Sequence, residues 1–474
     1  MFFQHIYDKT LAQASYLIGC QKKGEAIVID AKRDVDTYLQ IAEHNNLTIT
    51  HIAETHIHAD FLAGSRELAK LTGAKLYLSD EGGDGWEYEF PHVGLKDGST
   101  FMVGNLKFEV IHTPGHTPES ISFLLTDLPT TEAPVMLFTG DFVFVGDIGR
   151  PDLLEEAAGL KDTKIPGAKE MYHSVERFRD LPDYVQVWPG HGAGSACGKA
   201  LGAVPSSTVG YEKIRNWALQ YADNQEGFID YLLEDQPEPP RYFAMMKKLN
   251  KVERPLLTEV PKPKLLSNDA FQKAMDEGVK VIDTRNKLAF AKGFIPGTLN
   301  IQHNNAFPTW MGWFVNYDEP FILIAEEEQH DELVRMLMRI GLDNLYGYIP
   351  NVDVWTELGN ELAQAKIIDQ DTVRNMQKHS ETQIIDLRGA TEYQDGHLEG
   401  ADHIFVGYLE DNLDKIKREG KVVIHCKSGD RAAIGYSILY KNGFRNIHNY
   451  LSGFEEWEQD GNPVIREAKE QVHA

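Results

Sequence analysis

Two histidines and an aspartate stand close together directly after an apolar stretch near the start of the chain. Residues 47–53 have the apolar character of a buried strand, and His56, His58 and Asp60 follow them. Residues 65–71 have a helical pattern, so the cluster is expected on a loop that joins a strand to a helix. Ligands collect at the carboxyl ends of strands in open α/β structures, which makes this cluster a candidate metal or catalytic site.

Three later motifs would complete such a site. His116 lies in TPGHTP, Asp141 ends the motif TGD, and His191 ends the motif PGH. Each motif follows a strand-like apolar run and contains glycine or proline, as loops at strand ends often do. Imidazole nitrogens and carboxylate oxygens are common metal ligands, so these loops predict a metal centre.

The order HxHxD, TPGHTP, TGD and PGH resembles the metallo-β-lactamase superfamily, which implies an N-terminal αββα sandwich. In the two-metal members of this superfamily the first motif is HxHxDH, and its last histidine binds the second metal. This chain has Phe61 at that position, and a phenylalanine ring offers no ligand atom. The difference favours a single metal ion.

Within the superfamily, the motifs resemble the persulfide dioxygenases, whose metal is mononuclear iron(II). The resemblance implies His56, His116 and Asp141 as the iron ligands, with open positions for substrate and dioxygen. It also implies three further polar side chains that orient the ligands through hydrogen bonds, namely His58, Asp60 and His191. Zinc is expected as an adventitious occupant, because such sites bind zinc more tightly than iron(II).

The stretch GDFVFVGDIGRPDL after the third motif is also typical of that branch. Arg150 and Asp152 in this stretch either form an ion pair that fixes the loop or contact the substrate. Cys197 lies among small residues after His191 and is a candidate catalytic thiol that carries or exchanges a persulfide. The alternative for Cys197 is a buried inert thiol, and Cys20 is expected in the core of a sheet.

The second half of the chain contains one pattern twice. VIDTR at residues 281–285 recurs as IIDLR at 384–388, and GFIPGTLNI at 293–301 recurs as GHLEGADHI at 396–404. Both copies resemble the rhodanese (sulfurtransferase) domain, a parallel sheet covered by helices. We therefore expect two tandem copies of one small α/β domain.

The second copy carries a candidate nucleophile. A short apolar strand runs into CKSGDR at residues 426–431, which matches the CxxGxR loop of rhodaneses. Such a loop closes on a helix N-terminus, where backbone N–H groups stabilise a thiolate or persulfide anion. The resemblance implies Cys426 as the nucleophile and Arg431 as a brace of the loop or a ligand of the acceptor anion. Four residues complete the persulfide loop: Lys427, Ser428, Gly429 and Asp430.

The first copy has no cysteine at the equivalent position. Its central strand, residues 321–325, runs into EEEQHDE at residues 326–332. Carboxylates at this position would repel an anionic persulfide. We predict that the first copy is catalytically inactive and serves as a packing or docking module.

Composition argues against several classes of function. The formal net charge of −25 opposes binding to nucleic acid or anionic lipid, and no apolar run could span a bilayer. The N-terminus has no secretory signal and three cysteines form no disulfide framework, so a cytoplasmic protein is expected. Prolines between residues 237 and 263 mark a junction, and we predict domains at 1–250, 251–363 and 364–474.

The order of these domains resembles fused persulfide dioxygenase–sulfurtransferases of sulfide detoxification. The resemblance implies that a small-molecule thiol persulfide reacts with dioxygen to give sulfite, and that Cys426 transfers sulfur to sulfite to give thiosulfate. Two alternatives stay open: a two-metal thioester hydrolase like glyoxalase II with an attached rhodanese, and a non-catalytic persulfide carrier. The chain could also assemble as a homo-oligomer.

Overall fold

The computed structural model describes residues 1–156 and 162–466. By its backbone packing the chain divides into two compact units. The first comprises Met1–Pro261 with Arg335–Gly341, and the second comprises Lys262–Val334 with Leu342–Ala474. No helix in the described ranges is both long and apolar enough to cross a membrane.

Two six-stranded sheets form the centre of the first unit, and in each sheet the strands lie side by side in chain order. The first sheet contains β1 (Phe2–Asp8), β2 (Gln13–Cys20), β3 (Glu25–Ile29), β4 (Thr48–Ala53), β5 (Lys75–Ser79) and β6 (Val93–Leu95). The second sheet contains β7 (Thr100–Val103), β8 (Leu106–His112), β9 (Ile121–Asp127), β10 (Met136–Gly140), β11 (Gln186–Pro189) and β12 (Ser207–Thr208). Both sheets are mixed, since β3 to β6 pair in parallel and β10 pairs in parallel with β11.

The helices of the first unit are α1 (Asp36–His44), α2 (Ser65–Thr72), α3 (Leu153–Glu156), α4 (Lys164–Arg179), α5 (Val209–Arg215), α6 (Gln225–Leu233) and α7 (Phe243–Lys251). A short 3-10 helix spans Trp217–Gln220. Tyr38 of α1 and Leu68 of α2 pack in one core with the first sheet. Met171 of α4 and Phe228 of α6 pack in another core with Leu137 of the second sheet. Helices therefore cover the outer face of each sheet.

The side chains of β3 show how one strand contributes to two cores. Ala26 and Val28 pack in the core between the first sheet and its helices, whereas Ile27 and Ile29 pack in the core between the two sheets. Successive side chains of a strand point to opposite faces, so a strand covered on both faces is apolar throughout. The layers are helix, sheet, sheet, helix, and the predicted αββα sandwich is confirmed.

The second unit contains two four-stranded sheets, one in each copy of the repeat. The strands of the first are β13 (Lys280–Asp283), β14 (Leu299–Asn300), β15 (Phe321–Ile324) and β16 (Leu345–Ile349). Those of the second are β17 (Thr382–Asp386), β18 (Ala401–His403), β19 (Lys421–His425) and β20 (Ile447–Tyr450). The spatial orders β14-β13-β15-β16 and β18-β17-β19-β20 are equivalent, and all neighbours are parallel. The prediction of two tandem α/β domains is confirmed.

Helices precede, connect and follow these parallel strands. In the first copy they are α8 (Asn268–Asp276), α9 (Lys287–Lys292), α10 (Phe307–Phe314), α11 (His330–Arg339) and α12 (Asp353–Glu357). In the second copy they are α13 (Gln370–Met376), α14 (Ala390–Asp395), α15 (Asp430–Lys441) and α16 (Gly453–Gln459). Short 3-10 helices span Glu327–Gln329, Val406–Tyr408 and Glu410–Lys415.

Candidate functional site

The predicted metal ligands lie on four loops of the first unit. The loops after β4, β10 and β11 and the connection between β8 and β9 carry, in that order, His56, Asp141, His191 and His116. Gly140, the last residue of β10, has a φ of 52°, and a Cβ at this position would lie 2.3 Å from Thr55 Oγ1. The end of β10 can approach the histidine loop so closely only because residue 140 has no side chain.

The structure brings His56, His116 and Asp141 together in one buried group. One ligand atom from each lies within 4.8 Å of the others. Asp141 Oδ2 is 3.9 Å from His56 Nε2 and 3.5 Å from His116 Nε2. His116 Nδ1 donates a hydrogen bond to the carbonyl oxygen of Arg150 at 2.9 Å, which leaves its Nε2 free to bind a metal.

Several ligand atoms of this group make no hydrogen bond within the described residues. His56 Nε2 and both carboxylate oxygens of Asp141 are buried without a hydrogen bond in the part of the chain that the structure describes. Burial and the neighbouring histidines lower the pKa of His56, and burial lowers the pKa of His116 despite the charge of Asp141. Imidazoles with lowered pKa values beside a buried carboxylate that accepts no hydrogen bond fit a divalent metal ion, because the metal would satisfy polar atoms that are costly to bury alone.

Asp60, His191 and Cys197 form a second buried group of the same kind, with ligand atoms within 4.8 Å of one another. His191 Nε2 is 3.3 Å from Asp60 Oδ2 and 3.4 Å from Asp141 Oδ1. The Asp141 carboxylate thus lies between the two groups. Burial, followed by the charges of Asp141 and Asp60, raises the pKa of the Cys197 thiol well above its ordinary value. The thiol is protonated unless a metal ion or a reaction removes its proton.

The second unit contains the candidate nucleophile loop, between β19 and α15. Cys426 is buried, and its Sγ accepts a hydrogen bond from the backbone N–H of Gly429 at 3.1 Å. Gly429 has a φ of 98°, and a Cβ there would lie 2.3 Å from the carbonyl oxygen of Leu451. The loop therefore curls around the sulfur and ends at Asp430, the first residue of α15. A thiolate or persulfide at this place would face the N-terminus of a helix.

Residues 9–191 match the metallo-beta-lactamase superfamily. A crystal structure of a metallo-beta-lactamase from Staphylococcus aureus subsp. aureus COL is 47% identical to this chain and covers 74% of it and 99% of its own length, with a TM-score of 0.69. This chain belongs to the metallo-β-lactamase superfamily. Residues 267–357 and 369–460 each match the rhodanese-like domain, so the superfamily domain is followed by two rhodanese-like domains.

Two curated relatives match the metallo-β-lactamase part. A probable polyketide biosynthesis zinc-dependent hydrolase of Bacillus velezensis is 26% identical over 230 residues, which are 48% of this chain and 94% of that protein. The mitochondrial persulfide dioxygenase ETHE1 of Homo sapiens is 28% identical over 198 residues, which are 40% of this chain and 68% of that protein. Similarity thus extends to relatives of more than one activity.

His58 belongs to neither of the two candidate metal-binding groups and instead contacts Asp30. Its Nε2 is 3.2 Å from Asp30 Oδ1, and its ring centroid is 4.3 Å from that of Phe61. Burial alone would lower the pKa of His58, but the charges of Asp30, Glu54 and Asp60 outweigh this effect and raise the pKa to about 9. Asp30 also accepts hydrogen bonds from the Thr55 backbone and hydroxyl at 2.7 and 2.9 Å. His58 and Asp30 therefore hold the histidine loop, and the sequence analysis did not identify Asp30.

Arg150 and Asp152 form a buried pair. Arg150 Nη2 and Nε lie 2.5 and 2.8 Å from the Asp152 carboxylate, and Nη1 donates to the carbonyl oxygen of Pro237 at 2.7 Å. The Arg150 guanidinium is thus bonded to protein groups, while the backbone carbonyl oxygen of Arg150 orients His116. Of the two readings left open by the sequence, this geometry favours the ion pair that fixes the loop.

A segment far along the chain fixes the loop that carries the first motif, and the sequence analysis did not identify it. The Asn250 amide donates to the carbonyl oxygens of His58 and Phe61, both at 2.8 Å, and accepts from the Ala63 N–H at 2.9 Å. Tyr242 donates to the carbonyl oxygen of Asp60 at 2.8 Å. An asparagine on a polar helix such as α7 carries no local signal of such a role.

In the second rhodanese-like domain, Arg431 braces the loop. Its guanidinium makes a two-pronged ion pair with the Glu392 carboxylate of α14, with Nη2 2.8 Å from Oε1. Burial alone would raise the pKa of Glu392, but the hydrogen bond from Arg431 outweighs this effect and lowers that pKa. Lys427 and Ser428 are exposed at the mouth of the loop. The basic group at the mouth is therefore Lys427, because the charge of Arg431 is already paired.

The first rhodanese-like domain has no thiol at the equivalent strand end, where Ala325 and Glu326 follow β15. A cavity of about 460 Å³ lies there. Its lining includes Arg285, Asn304, Glu326 and, from the second domain, Asp430. This domain thus keeps a polar cavity without the nucleophile that the second domain has.

Proposed function

We propose that this chain is an iron(II)-dependent persulfide dioxygenase that is also a sulfurtransferase. Its substrates are a small-molecule thiol persulfide, dioxygen and sulfite. The observation that carries the proposal is the buried group of His56, His116 and Asp141, together with Phe61 at the position where two-metal members of the superfamily have a histidine. Two histidines and one carboxylate with open positions are typical of non-haem iron(II) oxygenases.

The overall oxidation balances as RSSH + O₂ + H₂O giving RSH, sulfite and two protons. His56, His116 and Asp141 would hold iron(II), which would offer open coordination positions for the persulfide and dioxygen, while the four electrons taken up by dioxygen come from the sulfane sulfur. The chain's own groups orient those ligands, since the carbonyl oxygen of Arg150 fixes the ring of His116. The Cys197 thiol lies with Asp60 and His191, and in the proposed reaction it accepts or returns a sulfane sulfur after one of these two groups has taken its proton.

The transfer of sulfur takes place at Cys426 in two balanced steps. The Cys426 thiolate attacks the outer sulfur of a persulfide, the S–S bond breaks and the carrier thiolate leaves. A sulfite lone pair then attacks the outer sulfur of the Cys426 persulfide. Thiosulfate leaves, the Cys426 thiolate is regenerated and the persulfide proton is released. The N–H of Gly429 stabilises the anionic sulfur in both steps.

The test is oxygen consumption with a thiol persulfide after anaerobic reconstitution with iron(II). We expect one iron ion per chain, and His116→Ala should lose both iron and oxygen consumption. His173→Ala, which changes an exposed histidine of α4, should keep both. Full iron content in His116→Ala would contradict the ligand assignment, and a lack of persulfide turnover by the iron-loaded protein would favour a non-catalytic persulfide carrier.

A second candidate function is a two-metal hydrolase, and the second group of Asp60, His191 and Cys197 favours it. The Asp141 carboxylate between the groups could bridge two ions, and the relative from Bacillus velezensis is named a zinc-dependent hydrolase. Elemental analysis separates the candidates. Two zinc ions per chain with thioester hydrolysis, and loss of one ion in Cys197→Ser, would support the hydrolase.

A further inference from the structure

Both oxygens of the Asp430 carboxylate, at the start of α15, are held by the first rhodanese-like domain. Lys287 Nζ lies 2.8 Å from Asp430 Oδ1, and Asn304 Nδ2 donates to Asp430 Oδ2 at 3.0 Å. Lys287 Nζ also donates to the carbonyl oxygen of Ser428. The ammonium of one domain thus contacts the side chain that ends the persulfide loop of the other domain and a carbonyl within that loop.

The two donors are themselves fixed. The backbone N–H of Lys287 donates to Gln302 Oε1 at 2.8 Å, and Asn286 caps the same helix, α9, through the Leu288 N–H at 2.9 Å. Asn304 Oδ1 accepts from the Ala306 N–H at 2.9 Å. The loops after β13 and β14 in the first domain therefore present a positioned lysine and a positioned amide to Asp430.

The charge of Asp430 matters because the sulfur chemistry beside it is anionic. A thiolate or persulfide at Cys426 and a sulfite acceptor are both negative, and an unpaired carboxylate at the same helix N-terminus would oppose them. Of the other basic groups nearby, Arg431 pairs with Glu392, Arg285 pairs with Asp283, and Lys427 is exposed at the mouth of the loop. Lys287 is the cation that is paired with Asp430 in the described residues.

We propose that Lys287 of the first rhodanese-like domain is a positioning residue for the persulfide loop of the second. It holds the loop through the Ser428 carbonyl oxygen and neutralises Asp430, so that Cys426 reacts as a thiolate and an anionic acceptor can approach. The domain without a nucleophile thereby takes part in sulfur transfer. This inference rests on the proposed transfer of sulfur at Cys426.

The experiment compares Lys287→Met with Lys292→Met in the full chain. Lys292 is an exposed lysine at the end of the same helix, so its replacement removes the same charge without touching the loop. One measurement is thiosulfate formation from a persulfide and sulfite without oxygen, so that the proposed oxidation of the persulfide does not take place. The other is the rate at which iodoacetamide alkylates Cys426 near neutral pH, followed by peptide mass spectrometry.

Lys287→Met should lower both rates about five- to tenfold, the range for a partly exposed ion pair that is also hydrogen-bonded. Lys292→Met and Lys287→Arg should stay within about twofold of the unchanged chain. The charge role also predicts partial rescue: Lys287→Met combined with Asp430→Asn should be alkylated at least about twofold faster than Lys287→Met alone, since neither charge of the pair remains.

Lys287→Met indistinguishable from Lys292→Met would overturn the inference. So would a double variant as slow as Lys287→Met, because a purely structural role is not rescued by removing the second charge. Failure of the proposed function has a different signature: the unchanged chain would form no thiosulfate. In that case the alkylation rates still decide whether Lys287 acts on Cys426.

Discussion

Among single residues, several buried polar atoms without a hydrogen bond lie in the two candidate metal-binding groups. His56 Nε2 and both carboxylates, Asp60 and Asp141, are buried and make no hydrogen bond from these atoms. Each such atom destabilises the fold by about 1–3 kcal/mol when nothing binds it. Several such atoms in one place indicate a candidate metal site, because imidazole nitrogens and carboxylate oxygens are common metal ligands.

One residue-level prediction concerns Gly429, whose left-handed backbone closes the persulfide loop. Gly429→Ala should lower thiosulfate formation about tenfold or more, because the new Cβ would clash with the Leu451 carbonyl oxygen and open the loop. Thiosulfate assays and melting temperatures measure the effect.

Gly400 provides the matched control for this change. It has a φ of 73°, but a Cβ there meets nothing within 4 Å. Gly400→Ala should therefore destabilise the domain by only about 1 kcal/mol and leave the thiosulfate rate unchanged. Equal loss of activity in both variants would show that backbone strain alone, and not the clash, disables the loop.

At the level of elements, α2 anchors the loop that carries the first histidine motif. Its Glu67 side chain is fully buried. The Glu67 carboxylate accepts hydrogen bonds from Arg254 at 2.5 and 3.0 Å and from Arg33 at 3.1 Å. Arg254 also donates to the carbonyl oxygen of Ala63, the last but one residue before α2. The pairing of α2 with a distant arginine thus holds the strand-to-helix loop at its α2 end.

Glu67 should stabilise the first unit in a pH-dependent way. Burial raises its pKa, but hydrogen bonds and charge from Arg254 and Arg33 outweigh this and lower the pKa below the ordinary 4.5. A lowered pKa in the folded state contributes stability above the unfolded pKa, and this stability is lost as the pH falls through the folded value. Glu67→Gln should lower stability by about 3 kcal/mol at neutral pH, and the difference from the unchanged chain should shrink below pH 4.5.

Melting temperatures of both proteins between neutral pH and about pH 3 test this prediction. Glu253→Gln is the control, since Glu253 is a largely exposed partner of Arg66 and its loss should have an effect below about 1 kcal/mol. A difference between Glu67→Gln and the unchanged chain that is constant with pH would contradict the ion-pair explanation.

For the whole molecule, the two candidate centres lie in different compact units. The metal groups are in the first unit, and the Cys426 loop is in the second. Cys426→Ser should therefore keep persulfide-dependent oxygen consumption and release sulfite in place of thiosulfate. Asp141→Ala should lose oxygen consumption but still form thiosulfate when sulfite and a persulfide are supplied. Product analysis with parallel oxygen measurement tests both variants.

The opposite outcome is equally clear. If Cys426→Ser stopped oxygen consumption while iron stayed bound, the persulfide would have to reach the metal by way of Cys426. The two centres would then be obligatorily coupled, and the prediction that they act independently would be wrong.

Much of the fold and part of the site could be predicted from the sequence. The order of the four motifs indicated the αββα sandwich through its resemblance to a known superfamily, and the internal repeat indicated the two parallel α/β domains; the structure confirms both. Cys20 was expected in a sheet core and lies there. His56, His116 and Asp141 were recognised because each stands in a short motif directly after a strand, and the structure brings them together. The CKSGDR loop of the second copy, and the absence of a cysteine at the same place in the first copy, could also be read from contiguous stretches of sequence.

The sequence by itself determined what could be read within a few residues of chain: strands, loop motifs, ligand types and the nucleophile loop. Only the tertiary structure decided which distant side chains meet. It placed Cys197 with Asp60 and His191, Asn250 on the histidine loop, and Lys287 on Asp430. The physical reason is that local spacing sets backbone conformation and chemistry, whereas such contacts depend on how separate strands and helices pack, which no short stretch of sequence encodes.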